Sequence, residues 1–463
     1  MLSAVKKEKI IETDISHFSK KGNGLGEIEV PFTIPGDRVI AAKNGKKGRL
    51  KEILRPSSDR ITARCEHFGS CGGCRWQQMP YEKQLFYKEE MVKNWFKELI
   101  EPSTGFSPII PCDPPWNYRN KMEFSFSSSR SKEKHLGLIM EGSRGKVFTL
   151  NECHLCPEWF VQVKKSVQTW WEQSRLEGYH PYSDEGTLRT LTLREGVRSK
   201  EKMVMLTVSG NPKFSMKEEE IKEFVNCVRE TVDVTSIFLQ IHQIKKGTPT
   251  QFFEMHLYGK ETITETLFVQ ENRLDFVISP TAFFQPNTRQ AEKLYTKAIE
   301  LADISKDSIV YDLYCGTGTL GISSSKFAGQ VIGIELSPES TLDAKENVKN
   351  NGCLNVRIET GAVEKKLAEL RNHHEIPDPD IVFIDPPRVG LDPLALRCLI
   401  ELKPKKIVSI SCNPVTQAEN IKELVSKGWQ MDSIQPVDQF PHTAHIENIV
   451  ILSERNERPR NLP

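Results

Sequence analysis

The chain has 463 residues, 38% hydrophobic and 27% charged, with 63 Lys/Arg against 62 Asp/Glu for a net charge of +1. At roughly 150 residues per domain, this length argues for about three domains and against either a single core or a largely disordered chain. No apolar stretch approaches the ~20 residues a membrane helix requires. The start, MLSAVKKEKIIETD, lacks the apolar segment of a secretory signal, so the expectation is a cytoplasmic protein without membrane association.

Residues 8–57 read as short strands broken by glycine and proline: EKIIETDIS, GLGEIEVPF, DRVIAAKN and GRLKEIL. This texture predicts a small OB-like β-barrel. Residues 1–60 carry 13 Lys/Arg against 8 Asp/Glu, and a local basic surface can bind phosphate although the whole chain is neutral. A second basic stretch contains Arg119, Lys121, Arg130, Lys132, Lys134, Arg144 and Lys146.

Residues 58–275 mix a cysteine cluster, a helical segment (79–100) and alternating strand patterns such as LRTLTLREG and TSIFLQIHQ. The cluster, Cys65-x5-Cys71-x2-Cys74, has two glycines that let the chain wrap a bulky centre. Eleven cysteines in a chain without a secretory signal point to metal or catalysis rather than to disulfides. Three clustered thiols and one remote one suit an iron–sulfur cubane better than a paired zinc knuckle. The nearest fourth ligands are Cys153 and Cys156.

From residue 276 the texture becomes α/β. The runs DSIVYDLY, GQVIGIEL, PDIVFIDPP and KKIVSISCNP resemble buried parallel strands separated by helices, a doubly wound Rossmann-like sheet. Their ends deliver Asp312 and Tyr314, Glu335, Asp385 and Cys412 to the side where such sheets bind ligands. Gly316, Gly318 and Gly321 form a G-x-G-x-x-G turn, and Glu335 follows the next strand, where a carboxylate can hold ribose hydroxyls. The pattern predicts an adenosine-containing cofactor, and spacing alone leaves NAD and S-adenosylmethionine open. Glu447, in FPHTAHIE, leads into a last strand and is a candidate base for the Cys412 thiol.

Taken in order, GLGEIEVPFTIPGDRV, CEHFGSCGGCRWQQMPYEKQLFYK, NYRNKMEFSF, FFQPN, DLYCGTGT, DPPR, SCNP and FPHTAHIE resemble the RNA (uracil-5-)-methyltransferase family, in its iron–sulfur branch typified by 23S rRNA enzymes. The resemblance covers most of the chain. It implies an RNA-binding TRAM domain at 1–57, a central α+β domain with a [4Fe-4S] cluster at 58–275 and a methyltransferase domain at 276–463, with the helical segment 80–110 packing on the last. It further implies S-adenosylmethionine contacts at Gln285, Tyr314, Glu335 and Asp385, Cys412 as nucleophile and Glu447 as base. Cluster ligation is implied at Cys65, Cys71, Cys74 and Cys153, with Cys156 as the alternative fourth ligand. Phe283 matches an aromatic beside the target base, and Arg119 and Lys121 fall near the RNA. The implied partner is RNA, 23S rRNA first and tRNA second, with no protein partner. Thr319 and Ala362 depart from asparagines found in relatives.

Overall fold

The computed structural model describes residues 9–129, 131–143, 145–244, 247–372 and 376–455. Arg130 and Arg144 of the basic stretch lie outside them.

A β-rich N-terminal domain is present. Its six-stranded sheet is dominated by an antiparallel trio, Lys9–Asp14, Arg38–Asn44 and Lys47–Arg55. Alternation puts Val39 and Ala41 inward with Ile15, Ile28 and Val30 to form a small core. Asp37, fully buried, accepts the Arg60 guanidinium at 2.6 and 3.1 Å and the Ser57 N–H at 2.9 Å, tying the sheet to the segment that leaves it.

The central region is an α+β layer. Seven strands, from Lys121–Ser128 to Gln251–Gly259, form one sheet, and the helices Glu158–Gln173 and Glu218–Thr231 contribute to its core. The hairpin Ile263–Val269/Asn272–Ile278 spans the change of texture near residue 275, yet its apolar face shares a core with the helix Thr288–Ala302.

The last region is the expected doubly wound sheet, extended to eight strands. Ile309–Leu313, Gln330–Glu335, Val356–Thr360, Ile381–Ile384 and Lys406–Ser411 run parallel. Glu447–Glu454 then inserts antiparallel between Lys406–Ser411 and Trp429–Val437. The edge is Gly105–Phe106, contributed from far earlier in the chain. The helix Tyr81–Phe96 packs beneath this sheet, where Met91, Val92 and Phe96 join Ile434, Val450 and Leu452 in one core. Among the described residues, no helix is long and apolar enough to cross a membrane.

Candidate active site

The strand ends converge because parallel strands present their carboxyl ends on one edge. Asp312 is buried and accepts the Gly321 N–H at 2.7 Å. A Cβ at Gly321 would lie 2.9 Å from the Asp312 carboxylate, so only glycine lets the helix start this close to the strand. Tyr314 sits in the left-handed region at φ 67°. Beyond it, the Gly316 N–H donates to Glu335 Oε2 at 3.0 Å, while Glu335 Oε1 accepts the Ser337 N–H at 2.8 Å. Glu335 thereby fixes the glycine turn and its own loop together.

Asp385, Cys412 and Glu447 form the other half of the site. Ser411 pairs with Asn448 across two antiparallel strands, so Cys412 and Glu447 occupy the next register position. Glu447 is 2% exposed and its Oε2 has no hydrogen-bond partner. Burial and then the neighbouring Asp385 charge push its carboxyl well above the usual range. Burial pushes Asp385 up to about 7. The Cys412 thiol is raised to about 11, first by burial and then by the Glu447 and Asp385 charges, with Arg388 opposing through its charge and a hydrogen bond.

Gln285, also buried, accepts from Gln439 Nε2 at 3.2 Å, and its backbone carbonyl accepts from Asn120 Nδ2 at 2.9 Å. Phe283 stands 63% exposed. Two residues escaped the sequence reading. Tyr295 is buried against Asp312, Asp385 and Glu447 and hydrogen-bonds Thr319. In sequence it lies among Ala291, Leu294 and Ala298 at helical spacing, the signature of an ordinary core aromatic. Arg388 closes the DPPR segment and reaches the thiol; its position at a strand end was its only signal.

A crevice of desolvated acids suits a cation. Bringing a sulfonium beside Asp385 and Glu447 would relieve two carboxyls whose ionisation burial now opposes. At Gly316 nothing lies within 4 Å of where a Cβ would be, leaving bare backbone beside the Glu335 carboxylate. The residues present thus fit S-adenosylmethionine.

A family model described as tRNA (uracil-5-)-methyltransferase matches residues 219–455. An uncharacterized RNA methyltransferase of Protochlamydia amoebophila is 50% identical over 442 residues, spanning 92% of this chain and 100% of that one. The chain belongs to the tRNA (uracil-5-)-methyltransferase family. A second family relative, an uncharacterized RNA methyltransferase of Clostridium tetani, is 32% identical over 98% of this chain and 99% of its own. Among solved structures, the Pyrococcus abyssi tRNA (uracil-54, C5)-methyltransferase in complex with S-adenosyl-L-homocysteine superposes with a TM-score of 0.72. It is 26% identical, and the match covers 96% of this chain and 100% of that one. Family membership makes this protein an S-adenosylmethionine-dependent RNA methyltransferase.

The expected iron–sulfur centre requires correction. Cys65, Cys71, Cys74 and Cys153 line one cavity of about 350 Å³, with Arg119 and Lys121 on its wall. Yet among the described residues, no three His, Cys, Asp or Glu side chains are grouped so as to hold a metal ion. The reason is geometric: the four thiols line the cavity wall but do not close on one another as a ligand set. Burial raises Cys65 to about 11 and Cys74 to about 12, and raises Cys71 as well. Cys153 alone is lowered, chiefly by a hydrogen bond from the Cys156 thiol. The side-chain geometry thus removes the expected [4Fe-4S], iron–sulfur and metal-binding assignments.

Proposed function

We propose that this enzyme methylates carbon 5 of a uridine in 23S rRNA through a covalent adduct between Cys412 and uracil carbon 6. The observation that carries the mechanism is the adjacency of the Cys412 thiol and the buried Glu447 carboxyl across the strand pair. Carbon 5 of uracil is too weak a nucleophile to accept a methyl group unaided, and transient addition of a thiolate solves this.

Arg388 favours the thiolate of Cys412, whose electron pair forms the bond to carbon 6 while the 5,6 π-pair moves toward carbon 5. Bound S-adenosylmethionine supplies an electrophilic methyl group. Carbon 5 takes that methyl, and the released electron pair stays on the sulfur of the departing S-adenosylhomocysteine. Glu447 accepts the carbon 5 proton, the C5–C6 double bond re-forms, and the C6–S bond breaks to return the Cys412 thiolate. Gln285, Tyr314, Glu335 and Asp385 would hold the cofactor. The exposed Phe283 ring offers a stacking surface to a uridine turned out of its helix, offsetting part of the few kcal/mol of unstacking.

The resemblance of the ordered motifs to the 23S rRNA branch supports an rRNA substrate. A second reading, a tRNA uridine, is favoured by the near full-length match to the Pyrococcus abyssi tRNA enzyme. The test is S-adenosylmethionine-dependent tritium release from RNA labelled at uracil carbon 5, with rRNA and tRNA separated from cells lacking the enzyme. Release from rRNA supports the first reading and release from tRNA the second. Release from neither rejects carbon 5 chemistry.

A further inference from the structure

Residues 438–446 connect the strand Trp429–Val437 to the strand that begins at Glu447. The segment has no regular structure, yet Asp438, Gln439, His442 and Thr443 are all nearly or wholly buried. His442 is held in the left-handed region at φ 64°, which costs a residue with a side chain roughly 1 kcal/mol or more. Something must hold this loop in place.

The helix Tyr81–Phe96 does so. Tyr81, Gln84 and Lys88 fall on one helical face at i, i+3 and i+7. Lys88 is fully buried and donates to Asp438 Oδ1 at 2.6 Å and to the Phe440 carbonyl at 3.1 Å. The Tyr81 hydroxyl donates to the other Asp438 oxygen at 2.8 Å. Gln84 Oε1 accepts the His442 N–H at 2.8 Å, and its amide group contacts His442 Nδ1 at 3.1 Å. Trp116 stacks on the His442 ring at 3.6 Å.

A buried ion pair is rarely a stabilising choice, because apolar residues of the same volume usually do as well or better. What an ion pair with directional hydrogen bonds adds is one defined geometry. Asp438 directly follows Val437, which pairs with Glu447 across the two strands, while Cys412 lies just beyond a different strand, Lys406–Ser411. We infer that Lys88, through Asp438 and Phe440, is a positioning residue that sets the Glu447 carboxyl against the proton it removes. The inference rests on the adduct mechanism above, and it places the effect on the last chemical step rather than on adduct formation.

The test compares wild type, Glu447→Gln, Lys88→Met and the double variant Lys88→Met/Asp438→Asn on whichever RNA fraction the wild type methylates. The double variant leaves no buried charge unpaired, so it keeps the fold if the single variant does not. S-adenosylhomocysteine binding reports folding, and the denaturation-resistant protein–RNA adduct is measured beside released product. A merely structural role lowers the active fraction without changing the ratio of adduct to product. The expected result is product release slowed by about tenfold to a hundredfold, with adduct accumulating as in Glu447→Gln and S-adenosylhomocysteine binding within about twofold of wild type. If Glu447→Gln accumulates adduct while the folded double variant releases product at the wild-type rate, the positioning role is wrong and the mechanism stands. If no adduct forms in Glu447→Gln, the mechanism itself fails and the positioning role falls with it.

Discussion

Cys412 and Glu447 share one register position, immediately beyond the Ser411–Asn448 pair of two antiparallel strands. This neighbourhood exists only because the last strand enters the sheet antiparallel; a sixth parallel strand would have carried the carboxyl to the opposite edge. The pairing thus places a base candidate beside the nucleophile candidate without any loop having to reach across the crevice.

Cys412→Ala should lower methyl transfer by about three orders of magnitude or more, as loss of a covalent nucleophile does. S-adenosylhomocysteine affinity, measured calorimetrically, should stay within about twofold of wild type. Turnover close to wild type would reject the nucleophile.

Arg388→Met should make the thiol less acidic, because Arg388 is the group that lowers Cys412 against burial, Glu447 and Asp385. With the thiol near 11 in the parent protein, thiolate is scarce at pH 8 and its fraction grows about tenfold per pH unit. The variant should therefore alkylate more slowly at Cys412 at any given pH and recover as the pH is raised. Mass spectrometry of iodoacetamide-treated protein reads this directly, and an unchanged alkylation profile would show that Arg388 does not act on the thiol.

Cofactor affinity should depend on pH through Asp385, which burial raises to about 7. Above that value the carboxylate is charged and attracts a sulfonium; below it the attraction is lost. S-adenosylmethionine should bind more weakly at pH 6 than at pH 8, whereas S-adenosylhomocysteine, a neutral thioether, should show a much flatter profile. Titrations of both ligands that run parallel would remove Asp385 from this role.

Gly22→Val should destabilise the protein. A Cβ at Gly22 would stand 2.1 Å from the Ala444 Cβ, and the residue sits at φ 72°. Overpacking together with the backbone strain should cost about 1–3 kcal/mol, seen as a lower urea midpoint at unchanged slope. Because Ala444 belongs to the loop before Glu447, the variant should lose activity at temperatures where it is still folded.

Much of this site could be read from the sequence because it is built from strand ends. Buried parallel strands announce themselves as apolar runs, and the residue after each run falls on the ligand side. The places of Asp312, Glu335, Asp385 and Cys412 at or just past strand ends are legible that way. Lys88 and Asp438 are not, since 350 positions separate them and a lysine in an amphipathic helix reads as solvated. Tyr295 was hidden by the opposite effect, its apolar neighbours giving it the look of packing. The cysteine cluster misled because spacing describes reach along the chain, whereas ligation depends on how the side chains are grouped in space.

The sheet that carries the chemistry is closed by pieces made at very different times. On a chain growing from its N-terminus, Trp76, Met91, Val92 and Phe96 emerge long before Ile434, Val450 and Leu452, the residues they pack with. Until then their apolar surface has no native cover, which makes the nascent protein a natural client for chaperones. The strand bearing Glu447 is the last one described and lies inside the sheet. Competence for methyl transfer therefore waits until the strand that starts at Glu447 has been made and inserted, with little scope for a half-built enzyme to act on RNA.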